Sequence, residues 1–256
     1  LNINQSSQNA TINAAQGIAV ASGETLNVIA PSQSSITLMR VTGNMTVGGS
    51  VNANDNLWVS TPSGVVQIQP GGKVTTLGEF YATDRDISPG NYVKPVSLPN
   101  NAGTFNAYAG SQIKASNVKL DFETINTSGA KIVATSSDVV ITGGNINVSG
   151  STISAPGDIV LGRDSYQSGR LAQSLDASNA NLTANRIETS AENIDVNDIN
   201  IHANEWLLDP TSITISSSAS TGGSLSSAQS TSGPSVVYAT DLQNAINSGT
   251  SITLAT

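Results

Sequence analysis

From Leu1 to about Ile215, short runs in which apolar and small polar residues alternate are separated by turns of Gly, Asn, Asp or Pro. Such runs include Thr25–Ile29, Ser35–Met39, Asn56–Val59, Val65–Ile68 and Lys73–Leu77, and later Lys131–Ala134, Asp138–Ile141, Asn145–Val148 and Asp158–Leu161. A period of two sends alternate side chains to opposite faces of an extended strand, so each run predicts a short strand with one face in a core. Two-residue Asn-Gly or Asp-Gly hairpin turns are not the dominant connection. Strand spacing is also tighter than the 8–12 residues usual in sandwiches, and aromatics are few, as suits a narrow interior filled by stacked aliphatic chains. These features predict an all-β fold, a parallel β-helix (solenoid). With about 20–25 residues per coil and about 4.8 Å per rung, it would have roughly ten rungs and a length on the order of 50 Å.

Three stretches break the pattern. Residues 88–101 concentrate prolines and read as an excursion from the coil, and Arg163 to Leu175, with Tyr166 and Gly169, reads as a second. Ser216 to Ser235 is Ser/Thr/Gly low complexity, flexible by composition. Beyond it, Thr240–Gly249 predicts a short C-terminal helix. Thr240 and Gln243 match a capping box, Leu242, Ala245 and Ile246 share one face, and Gly249 stands where a helix stops. Ser251–Leu254 predicts one more strand.

Charged residues make up only 11% of the chain, against about 25% in average soluble domains, and small polar residues take their place. With 10 Lys+Arg against 18 Asp+Glu, the balance lacks the basic patch that nucleic acid demands. No apolar run of about 20 residues could span a bilayer. The absence of cysteine excludes thiol catalysis and disulfides, and suits a surface protein that crosses the periplasm without being trapped by a bridge. Leu1–Asn4 lacks the features of an export signal, so any such signal is expected to have been removed.

Candidate chemistry is thin. The one histidine, His202, is expected to point outward with Asn200 if Ile199 and Ile201 point inward. Parallel β-helices also host polysaccharide lyases and hydrolases, so two acidic groups bear on catalysis: Asp84 and Asp86 around Arg85, and Glu188, Glu192, Asp195 and Asp198. A glycosidase needs two carboxyls about 5–9 Å apart across a sugar site, and the preferred reading of these groups is solvated turn residues. Calcium-roll, EF-hand, zinc and P-loop spacings are absent, leaving Asp55 or the Asp84/Asp86 pair as weak cation candidates. Asn-x-Ser/Thr sequons include those beginning at Asn9, Asn44, Asn126, Asn147 and Asn181. Trp206, Leu207 and Leu208 form a candidate end-cap, a plug over the final rung. No catalytic residue, cofactor or metal is expected.

The opening residues Leu1–Asn13, then Gly23–Val28 and Pro31–Gly43, resemble the start of a haemagglutination-activity domain. Gly49–Val59, Pro62–Val65 and Tyr81–Ile87 continue the likeness, and Arg186–Thr189 and Glu205–Ile215 resemble the shaft of large exoproteins. Together they are similar to two-partner secretion exoproteins of the filamentous haemagglutinin family. That resemblance implies a right-handed parallel β-helix, secreted through an outer-membrane transporter to the cell surface and typically acting in adhesion. It divides the chain into a secretion-type β-helix (1–100), a continuing shaft (101–215), a linker (216–235) and a helix-strand element (236–256). Where the family usually carries Asn-Pro-Asn-Gly, this chain has the secretion-motif turn Thr61, Pro62, Ser63, Gly64, which keeps the Pro and Gly that shape it. Expected partners are the transporter and surface glycans or proteins of a host or neighbouring cell, with self-association and no nucleic acid. Two alternatives stand beside adhesion: a subunit assembling into filaments by end-to-end stacking or donation of its Ser235–Thr256 tail, and a polysaccharide-degrading enzyme.

Overall fold

The computed structural model describes residues 1–87, 102–162, 171–217 and 235–256. The predicted alternations become short parallel strands wound into a β-solenoid of about nine turns. Each regular lap contributes one strand to each of three faces. Face 1 stacks Asn2–Asn4, Thr25–Ile29, Ser50–Ala53, Lys73–Thr76, Gln112–Ala115, Lys131–Ala134, Thr152–Ser154, Asn181–Thr183 and Asn200–His202. Face 2 runs from Asn9–Ala14 through Ile36–Val41, Asn56–Ser60, Glu79–Thr83, Asn117–Asp121, Val139–Thr142 and Asp158–Leu161. Face 3 runs from Gly17–Val20 to Ala172–Asp176. The long strand Arg186–Asp195 then serves both, pairing its first half with Asp158–Leu161 and its second with Ala172–Asp176.

Register follows from burying like on like. On face 1, Leu26, Val51, Val74, Ile113, Ile132, Ile153, Leu182 and Ile201 form one continuous inward column. All eight are buried. A slip of one residue would turn that column to water, which is why register holds although lap length varies. Side-chain bonds between laps join residues 25 apart at one end of the coil and 19 apart near the other. Outside the core, Asn27 donates to Asn2 at 2.9 Å and Asn52 donates to Asn27 at 3.1 Å, a short asparagine ladder.

The corner leading into face 1 repeats a single device. Asn126, Asn147, Asp176 and Asp195 stack, and each side chain accepts the amide two residues on, at 3.1, 2.9, 3.0 and 3.0 Å. Two of these are the sequon asparagines Asn126 and Asn147. These Asx turns lead into a left-handed residue: Gly129, Gly150, then Asn179 and Asp198. An L-residue pays for that conformation, typically about 1 kcal/mol or more, and glycine does not. Asp198→Gly is therefore expected to stabilise the protein by about 1 kcal/mol. Gly129→Ala should destabilise it, because a Cβ there would lie 2.8 Å from that of Ala109. Denaturant midpoints check both directions.

At the carboxyl-terminal end the order of elements departs from expectation. Ser235–Tyr238, a strand the sequence did not announce, packs against Arg186–Asp195 and pairs with Ile213–Ser216. Ser235 Oγ accepts the Ile194 amide at 2.9 Å. The chain then runs directly into the helix Ala239–Asn247, which lies over Asn200–His202, and finishes as Ser251–Leu254 on Glu205–Pro210. The capping box is not formed. Because the strand leads straight into the helix, Tyr238 is the N-cap and makes no side-chain cap bond, and Gln243 bonds Asn247 at 2.9 Å instead. The buried positions are Asp241 and Ala245, whereas Ile246 is 53% exposed. The stop at Gly249 is as expected. Its φ is 92°, its amide meets the Ile246 carbonyl and the Thr250 amide meets the Ala245 carbonyl, a Schellman motif.

Of the three irregular stretches, residues 88–101 and 163–170 lie outside the described residues, as do 218–234 of the predicted linker. The second irregular stretch is shorter than expected, since Ala172–Asp176 is a strand held by its neighbours on both sides.

Candidate functional site

The strongest concentration of unusual chemistry lies where the chain leaves the coil after Glu79–Thr83. On the outer side of face 2, Leu38, Trp58 and Tyr81 stack in successive laps. Outward positions should be wet, yet all three are buried. Trp58 and Tyr81 meet edge to face, with ring centroids 6.0 Å apart. They are covered in part by residues 84–87, which turn back across the sheet and lay Ile87 on the cluster. Arg40 holds this return by donating to the Ile87 carbonyl at 2.8 Å and pairing with Asp86 at 3.1 Å. Ser60 adds a bond to the Arg85 carbonyl at 2.7 Å. A signal for this shelf was present in the sequence: Leu38-Met39, Leu57-Trp58-Val59 and Phe80-Tyr81-Ala82 break the alternation at the same place in three laps.

Beside the shelf sits a carboxylate pair. Arg85 Nε donates to Asp121 Oδ2 at 2.9 Å, and the Thr83 and Thr142 hydroxyls approach Asp121 at 3.5 and 3.4 Å. Asp84 is only 4% exposed and accepts the Glu123 amide at 3.1 Å. Burial raises its carboxyl to about 7, the Asp121 charge adds to the rise, and Arg85 and backbone donors oppose it. An acid poised near neutrality beside a second carboxylate is the pairing a glycosidase requires. Here, however, both groups are buried in a corner and turned to backbone and arginine, an arrangement that pins Asp84 and Arg85 to the neighbouring lap. Asp84 and Asp86 do not act together, because Asp86 points to Arg40.

The other expected residues are dispersed. In the turn Thr61–Gly64, Thr61 is buried and its amide donates to the Thr83 carbonyl, while the Gly64 amide meets the Thr61 carbonyl at 3.3 Å. A Cβ on Gly64 would lie 2.1 Å from the Gly43 carbonyl oxygen, so this corner requires glycine for close backbone approach. His202 and Asn200 are exposed on face 1, as alternation predicts. Glu188 is buried against Arg186 and Ser190, each at 3.0 Å. Glu192 is exposed. Asp55 accepts the Thr37 hydroxyl at 2.7 Å, and burial pushes its carboxyl up.

Trp206 and Leu208 point into the core and Leu207 outward. Trp206 stands on Ile187, donates its indole N–H to Thr189 at 3.1 Å, and is covered in turn by Ile252. The end itself is closed by the final helix and strand. Under that helix the sequence reading missed Asp241. It is buried and lifted to about 6, first by desolvation and then by the charges of Asp198 and Asp195, while the Asp198 amide opposes the rise. Among the described residues no three acidic or histidine side chains are placed to hold a metal ion, and no helix is long and apolar enough to cross a membrane. No family model, curated protein or solved structure matches the chain.

Proposed function

We propose that this β-solenoid is a secreted surface protein exported by a two-partner transporter, working in adhesion rather than catalysis. One observation supports the reading most. The residues that resemble a secretion domain fall on consecutive laps of one uninterrupted stack: Ile36–Val41, Asn56–Ser60, the turn Thr61–Gly64 and Glu79–Thr83. Their order in the sequence is thus their order along the coil, as expected of a segment that folds rung on rung while emerging. Low charge and polar outward ladders suit many weak contacts with a cell surface. The tail is used within its own molecule, Ser251–Leu254 on Glu205–Pro210, which favours adhesion over tail donation.

Coexpressing the chain with a two-partner transporter should place it in the medium. Deleting Leu1–Leu77 should abolish that export while leaving synthesis intact. Export unchanged by the deletion would overturn the transporter role, and failure of the purified chain to coat cell surfaces would overturn adhesion.

A further inference from the structure

Charge is segregated around the coil. The protein carries a net charge of −8, yet the outward positions of the face 1 strands, from Asn2 to His202, include no carboxylate. They are Asn, Ser, Thr, Gln, Val and Ile, with Lys73, Lys114, Lys131 and His202. On the other faces, the described cations Arg40, Arg85, Lys119 and Arg186 are all in ion pairs. Lys73, Lys114 and Lys131 are exposed and have no ion-pair partner among the described residues.

Register gathers these three. Lys73 stacks on Gln112 and Gln112 on Lys131, so the two lysines stand two strand spacings apart, about 10 Å. Lys114 lies two residues along the middle strand, about 8 Å from each. The result is a flat triangle of cations bordered by Thr75, Thr152 and Val133, on a face whose described strands present no outward acid.

We infer that face 1 docks a linear anionic polysaccharide of low charge density, a uronate polymer with one carboxylate per disaccharide. Sparse lysines on a flat polar strip complement sparse carboxylates on an extended chain. Hydroxyl and amide side chains beside them can bond sugar hydroxyls. A densely charged polymer, whether duplex DNA or a heavily sulfated glycan, would pay repulsion from the acidic remainder of the molecule. This inference deepens the adhesion reading and rests on it for its purpose, but its chemistry can be tested alone.

The test is binding of the purified full chain to an immobilised, unsulfated uronate polymer, against a neutral polysaccharide, a sulfated glycan and duplex DNA. The uronate polymer should be retained best, and rising salt should release it. The triple variant Lys73→Gln, Lys114→Gln, Lys131→Gln should bind about tenfold more weakly, with an unchanged melting temperature. Lys119→Gln, whose lysine is paired with Glu79 on face 2, should bind as the parent does. Equal binding by the triple variant, no retention, or preference for DNA, the sulfated glycan or the neutral polymer overturns the inference. If the chain coats cells and the triple variant coats them equally, this inference fails and adhesion stands. If the polymer binds and cells are not coated, adhesion fails and the binding face stands.

Discussion

Trp206→Ala is expected to lower stability by about 3–5 kcal/mol, the range for emptying a buried tryptophan site. The side chain is fully buried and held between Ile187 below and Ile252 above, so neither lap can collapse into the gap without giving up its own register. The Thr189 hydroxyl would also lose its indole donor. Because a solenoid's stability is a sum of lap and neighbour terms, the loss should be local. Hydrogen exchange should speed up in Arg186–Asp195, Glu205–Pro210 and the final helix and strand, while laps before Lys131 keep their protection. Trp206→Phe should recover most of the packing. An equal loss of protection from one end to the other would refute the stacked-lap account of its stability.

Thermal stability should fall as pH rises from about 4 to about 7. Burial raises Asp84 from 3.8 to about 7, so the folded chain keeps a proton that the unfolded chain has released. Stabilisation by that proton is complete below the unfolded value and is lost as pH climbs through the folded one. A rise of this size corresponds to up to about 4 kcal/mol. Asp241, raised to about 6, and Asp55 and Asp195, also raised by burial, act in the same direction. Melts at intervals across that range check the slope. Asp84→Asn, which keeps an oxygen for the Glu123 amide, should flatten it. A slope unchanged in that variant would remove Asp84 as its main source.

Much of the coil was legible because period-two alternation is local and strong. Thr25–Ile29, Val65–Ile68, Lys131–Ala134 and Asp158–Leu161 are strands with the bounds their patterns imply. Three features were hidden for distinct reasons. Ser235–Tyr238 adjoins a low-complexity run and gains its strand character only by pairing with Ile213–Ser216 and packing against Arg186–Asp195. The helix cap was misread because propensity favoured Thr240, whereas the preceding strand delivers the chain already committed at Tyr238. The lysine triangle joins residues 73, 114 and 131, which become neighbours only through laps of unequal length. The carboxylates near Asp84 were seen, but not their burial or the turn of Asp86 to Arg40. Those depend on residues 84–87 folding back to cover outward apolar side chains.

The stack of unequal laps also has a mechanical meaning. A regular lap holds 19 to 25 residues but adds only about 4.8 Å of height. Drawn taut, the same residues reach roughly 60–90 Å. Tension applied along the thread would therefore peel the coil turn by turn from an end. Each yielding turn would pay out more than ten times its own thickness, so a tethered molecule could lengthen under shear before its attachment broke.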